Sequence, residues 1–228
     1  MKKETESEGY CIYCNKLFSK KEMGKHLTAH LKGMEKAVNE SSGVNYCHIE
    51  VESDEMFLHL LVKGDAKMKA IDNFLRDIWL DCCGHLGAFG HKDFKVSMSH
   101  LVEDVMTPRI KIFHNYDFGS TTRVFLKGLN QYKLNEKEKV ILLSRNEPIK
   151  IPCSICKKAP AAYLCTECFN DDDDDDDFSF FCKKCSELHE AECEAYTDYS
   201  QMLVVNSPRM GVCGYEGGRI DLGRDGNS

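Results

Sequence analysis

Cys11 and Cys14 lie two residues apart, and His26 and His30 follow them with the i, i+4 spacing that puts two side chains on one face of a helix. From Cys153 a second pattern begins: Cys153-x2-Cys156, eight residues, Cys165-x2-Cys168, thirteen residues, Cys182-x2-Cys185, three residues, His189, three residues, Cys193. Thiolates and neutral imidazoles are ligands of Zn²⁺, and a two-residue gap lets both sulfurs of one turn point at a single ion. Twelve donors in sets of four predict three closed tetrahedral sites and three Zn²⁺ per chain. A closed site has no open position for a catalytic water, so the predicted ions are structural. His189-Glu190-Ala191-Glu192-Cys193 resembles a metalloprotease HExxH only in part, because the array already uses both of its ends. No cofactor-binding residue and no catalytic residue is expected.

The first four donors need a turn and a helix. Tyr10 to Cys14 reads as a strand with a tight turn, and Phe18, Met23 and His26 to His30 fall where a short helix presents an apolar stripe. Over residues 10–32 this resembles the C2H2 zinc-finger family, with Phe18 and Met23 in the places of its two core residues and eleven residues between Cys14 and His26 where the usual pattern has twelve. The resemblance implies a small ββα zinc finger. Lys20, Lys21 and Lys25 give its helix a basic face suited to phosphate contact.

In the C-terminal array, Cys185, His189 and Cys193 recur every four residues, as along a short helix beginning near Ser186. Spacing alone leaves sequential and alternating pairing of the ligands open. The order of ligands resembles the cross-brace family that includes B-box and MYND domains. That resemblance implies that Cys153, Cys156, Cys182 and Cys185 hold one zinc, and Cys165, Cys168, His189 and Cys193 the other. Asp171 to Asp177 lies in the longest gap of the array, and seven adjacent carboxylates predict a solvated loop.

Between the arrays, 46–52 and 56–62 read as a hairpin. A helix capped by Asp65 runs through Met68, Ile71, Phe74, Leu75, Ile78 and Trp79 toward Cys82-Cys83-Gly84. Phe94 to Met98 is strand-like, Leu101 to Met106 gives one or two helical turns, and 109–113 with 123–129 alternate like a closing hairpin. This predicts an α+β domain large enough to bury its own core. His85-Leu86 with Phe89, then Lys111 to Gly119 with its Tyr116-Asp117-Phe118-Gly119 turn, resembles the plasmid pRiA4b ORF-3-like family over residues 44–130. The resemblance implies a fold more than an activity. Asp117-Phe118-Gly119 also matches a kinase tripeptide, but no Gly-rich loop or catalytic loop accompanies it, so it reads as a turn. His48, His59, His85, His91, His100 and His114 have no coherent ligand spacing. Cys47, Cys82, Cys83 and Cys213 read as core or surface residues.

The expected organisation is α+β throughout: 1–43 a finger with its linker, 44–147 the central domain, 148–195 the two-zinc module, and 196–228 an extension whose last residues, Asp221 to Ser228, fray. The 228 residues are 42% hydrophobic and carry a net charge of −7, which excludes wholesale disorder. Residues 146–228 hold 8 Lys/Arg against 17 Asp/Glu, so the acidity is local and says nothing against nucleic acid. No apolar run is long enough for a membrane span or a leader, and thirteen cysteines, nine of them in metal-type spacing, suit a reducing cytoplasm. The function these readings favour is a non-enzymatic zinc-binding adaptor with a protein partner and no small-molecule substrate. The alternative is a nucleic-acid-binding regulator using the finger helix. A recombinase or other enzyme ranks last, because no nucleophile and base fall together and Arg76, Arg109, Arg123 and Arg145 are dispersed.

Overall fold

A computed structural model of the chain describes residues 7–38, 43–168 and 179–220. The acidic run Asp171–Asp177 and the tail Asp221–Ser228 lie outside the described residues. The chain divides into two compact units, Met1–Asp77 with His85–Glu147, and Ile78–Gly84 with Pro148–Ser228. Both are mixed α and β, and every strand pairing among the described residues is antiparallel.

In the first unit, a hairpin of β1 (Glu8–Tyr10) and β2 (Leu17–Ser19) leads into α1 (Lys20–Lys36). Seven strands follow: β3 (Val44–Ser53), β4 (Met56–Lys63), β5 (Gly87–His91), β6 (Phe94–Val96), β7 (Lys111–Tyr116), β8 (Thr122–Leu134) and β9 (Val140–Arg145). They form one sheet in the order β6-β5-β7-β8-β3-β4-β9. Met23, Leu27 and Leu31 recur every four residues along α1, so they form a single stripe. The stripe is buried against Tyr46, Phe57, Leu61, Tyr132, Leu134 and Leu143 of the sheet. The Ile12 N–H also donates to the Leu143 carbonyl at 3.0 Å, and the Glu147 N–H to that of Glu8 at 2.7 Å. The N-terminal segment therefore shares a core and a hydrogen-bonded edge with the sheet.

The 46–52 and 56–62 hairpin is present as β3 and β4, which pair from Tyr46 with Lys63 to Ser53 with Met56. The predicted helix after Asp65 is shorter and differently capped: α2 (Met68–Leu75) has Lys67 at its N-cap and runs into a π-helical turn, Arg76–Leu80. It stops there because the Asp81 carboxylate accepts the Gly84 N–H at 3.0 Å and turns the chain. Leu101–Met106 yields α3 (Val102–Val105). Two strands of this sheet were not expected. β9 is an apolar run without alternation, and β5 is Gly-Ala-Phe-Gly-His. Its Gly87 is needed for space, since a Cβ there would sit 2.9 Å from both Asp72 Oδ1 and His114 Nε2. Those two atoms, from α2 and β7, are 2.7 Å apart and fully buried.

The second unit holds a small sheet, β11-β10-β12, made of β10 (Tyr163–Cys165), β11 (Ser179–Phe181) and β12 (Gln201–Leu203). The helix α4 (Lys183–Glu190) begins three residues before the expected Ser186. A π-helical turn, Tyr196–Ser200, leads into β12. The core cluster consists of Cys153, Cys165, Cys182, Cys185, Phe181 and Tyr196.

Candidate metal centres

A β-hairpin leaves its turn free to aim side chains, and here that turn carries Cys11 and Cys14. The Asn15 N–H donates to the Cys11 carbonyl at 2.9 Å, and Asn15 adopts φ 52°, curling the backbone so that both sulfurs face α1. His26 and His30 meet them from one helix face, with Cys14 Sγ 3.2 Å from His26 Nε2. Phe18 stacks on the His26 ring at 3.7 Å between centroids, and Tyr13 lies against His30 at 5.3 Å. The four donor atoms all lie within 4.8 Å of one another. Tetrahedral Zn²⁺ with its usual bond lengths places its ligand atoms about 3.3–3.8 Å apart, so the set fits such an ion. Burial, aided by His30 and Lys16, lowers the pKa of His26 and so favours the neutral ring that a metal needs.

The C-terminal array is brought together in alternation. Cys153, Cys156, Cys182 and Cys185 form one group, and Cys165, Cys168, His189 and Cys193 another, each within 4.8 Å. The turn after Cys153 repeats the N-terminal one: the Lys157 N–H donates to the Cys153 carbonyl at 3.0 Å, with Lys157 at φ 53°. Cys182 is the N-cap of α4 and Cys185 lies in its first turn, while His189 one turn later faces the other group. Cys156 and Cys182 sulfurs are 4.0 Å apart, and those of Cys168 and Cys193 are 3.7 Å apart. Phe181 stacks on His189 at 4.2 Å and holds the ring in place.

Two features of these groups call for a cation. His189 Nε2 is buried and has no hydrogen-bond partner among the described residues, an arrangement that costs free energy unless the lone pair is taken by a metal. The thiols also differ sharply. Burial would raise Cys153, but the backbone N–H groups of Cys182, Cys156 and Ile155 bring it down to about 6. Cys185 and Cys168 are pushed up to about 12, first by burial and then by neighbouring sulfurs. A cation among the sulfurs would let these thiols ionise together, as metal-bound thiols do.

The structure corrects the reading of the remaining cysteines. Cys82, Cys83 and Cys213 come together in a fourth group, so among the described residues four groups rather than three could hold a metal. Sequence spacing could not show this, because Cys213 lies 130 residues from Cys83. The adjacent pair Cys82-Cys83 was the available signal. Cys47, by contrast, is a buried core thiol pushed up to about 12, chiefly by burial. His48 and His59 form a buried pair, Nε2 to Nδ1 at 3.1 Å. His91 Nδ1 lies 2.8 Å from the Lys111 carbonyl. Lys20, Lys21 and Lys25 share a cleft of about 980 Å³ with Lys111, Lys127, Glu50 and Glu52. Within it Lys20 pairs with Glu52 at 3.5 Å and Lys127 with Glu50 at 3.4 Å. No helix among the described residues is long and apolar enough to cross a membrane.

No family model and no curated protein matches the chain. Among solved structures, a protein of unknown function from Methanosarcina mazei Go1 is 16% identical, with a TM-score of 0.38, over 44% of this chain and 68% of that one.

Proposed function

We propose that the protein is a non-enzymatic zinc-binding adaptor in which three structural Zn²⁺ ions fix surfaces for a protein partner. The observation that carries this reading is the convergence of twelve Cys and His donors into three tetrads, each within 4.8 Å. Four protein donors complete a tetrahedral ion and leave no position for substrate or catalytic water, which supports a structural role. On this reading β1, β2 and α1 are a ββα zinc finger, and residues 148–195 are a B-box/MYND-like cross-brace whose alternating donors bind one ion each. The resemblance of residues 44–130 to the pRiA4b ORF-3-like family belongs to the same proposal, supported by the Asp117–Gly119 turn between β7 and β8.

Native mass spectrometry of the zinc-loaded full chain tests it. Cys14→Ser, Cys156→Ser and Cys168→Ser should each lower the bound zinc by one ion. Retention of the full complement in all three variants would overturn the assignment.

A second reading is favoured by the lysine-lined cleft beside α1, which could take a phosphate backbone. Lys20→Glu/Lys25→Glu should then abolish duplex DNA or RNA binding, and wild-type binding should weaken steeply between low and moderate salt. Salt-insensitive binding, or none, rejects this reading.

A further inference from the structure

The second unit contains three thiols that the closed sites do not use. Cys82 and Cys83 sulfurs are 3.5 Å apart, and Cys83 and Cys213 sulfurs are also 3.5 Å apart. This meeting of distant segments is built into the fold. The Ser207 hydroxyl donates to the Trp79 carbonyl at 2.6 Å in the interior, tying the strand of chain before Cys82 to the one before Cys213. Arg209 is fully buried, and its Nε points at Cys82 Sγ from 3.4 Å.

The backbone around the thiols is held in unusual conformations. Gly84 turns at φ +77°, which the Asp81 cap stabilises and a side-chain-bearing residue would resist. Cys213 itself sits at φ 55°, left-handed for a residue with a Cβ, and is followed by Gly214 at φ 63°. Such strain persists where the surrounding structure over-determines it, and it clusters at ligand sites.

We propose that Cys82, Cys83 and Cys213 form a fourth metal site, taking a thiophilic divalent cation such as Zn²⁺. Sulfur separations of 3.5 Å suit ligands of one tetrahedral ion, for which about 3.8 Å is ideal. Three thiolates on a dication leave one surplus negative charge, and the Arg209 guanidinium beside Cys82 offsets it, as outer-shell donors to metal-bound sulfur do. A disulfide would use only two of the three sulfurs. The site also differs in kind from the other three. Each of those has at least one buried ligand, whereas Cys83 and Cys213 are exposed and Cys82 is half-buried. Water and competing chelators reach it directly, so its ion exchanges first.

The test uses the reduced, zinc-loaded full chain and the double variant Cys83→Ser/Cys213→Ser, whose substitutions are both at exposed positions. Native mass spectrometry should give one zinc fewer in the variant than in the wild type. A limiting challenge with EDTA should remove one ion from the wild type ahead of the rest, and this early phase should be absent from the variant. Equal zinc content in the two proteins overturns the proposal, as does a Cys83–Cys213 disulfide persisting in the zinc-loaded protein. Failure of the closed sites reads differently: the totals of both proteins fall while their difference of one ion remains.

Discussion

Asp72 is a carboxylate with no exposure to water, and three side chains make that tolerable. Its oxygens accept from His114 Nε2 at 2.7 Å, Lys69 Nζ at 2.7 Å and Arg76 Nε at 3.0 Å. Burial alone would raise its pKa, but the bonds from His114 and Lys69 and the charges of His114 and Arg76 hold it well below the usual carboxylate range. Asp72→Asn should therefore cost about 3 kcal/mol at neutral pH, measured by urea unfolding, because it leaves buried donors without their anion. The sign with pH follows from the lowered value: the Asp72 contribution is complete above the unfolded carboxylate range and is lost as pH falls through it toward the folded value. The gap between wild type and variant should shrink accordingly in acid, and a constant gap would contradict the assignment. His48 behaves oppositely in charge but alike in direction. Burial lowers it to about 4, so the folded state prefers the neutral ring, and stability present above 6.5 falls by about 1.4 kcal/mol per pH unit on descent toward 4. His48→Gln, which does not titrate, should flatten that slope in pH-dependent melting. Neither pair was legible in the sequence, because each joins residues on different elements whose spacing carries no periodic signal.

At the scale of elements, α1 does two jobs with two sets of residues. His26 and His30 face the hairpin turn, while Met23, Leu27 and Leu31 face the sheet. Leu27→Ala should thus destabilise the sheet as well as the finger, by about 2–5 kcal/mol in denaturant unfolding with a single transition. A loss confined to residues 7–38 would show that the helix packs independently. The sequence displayed the donor face of α1, since His26 and His30 recur at helical spacing, but of the expected apolar pair Met23 lies in α1 and Phe18 in β2. It displayed the apolar stripe's partners only in part, because β9 lacks alternation and Tyr132 and Leu134 lie on β8 beyond the expected 123–129 strand. The metal donors of the C-terminal array were legible for the opposite reason: ligand spacing in a turn or along a short helix is local. The fourth group was not, since its third thiol arrives from a loop with no spacing relation to Cys82-Cys83.

Over the whole molecule, the two units should respond differently to the removal of metal, because their cores have different compositions. The second unit is centred on Cys153, Cys165, Cys182, Cys185, Phe181 and Tyr196, so most of its central cluster consists of proposed zinc ligands. Without the ion those thiols become a crowded polar set, and an eight-residue helix such as α4 is too short to persist alone. The first unit has a seven-stranded sheet whose core, beyond Cys11, is aliphatic and aromatic. A finger standing by itself would unfold on chelation, since thirty residues cannot supply a core. Docked as it is, α1 keeps its apolar stripe covered by the sheet. Chelator-stripped protein followed by hydrogen exchange should therefore lose protection throughout 148–168 and 179–220, lose it in the 11–16 turn, and retain it in β3, β4, β8 and the middle of α1. If α1 exchanges as fast as α4, packing on the sheet contributes little to the finger and the bound ion alone maintains it. If instead α4 stays protected, the aromatic pair Phe181 and Tyr196 suffices for the second unit and its donors are not structural zinc ligands.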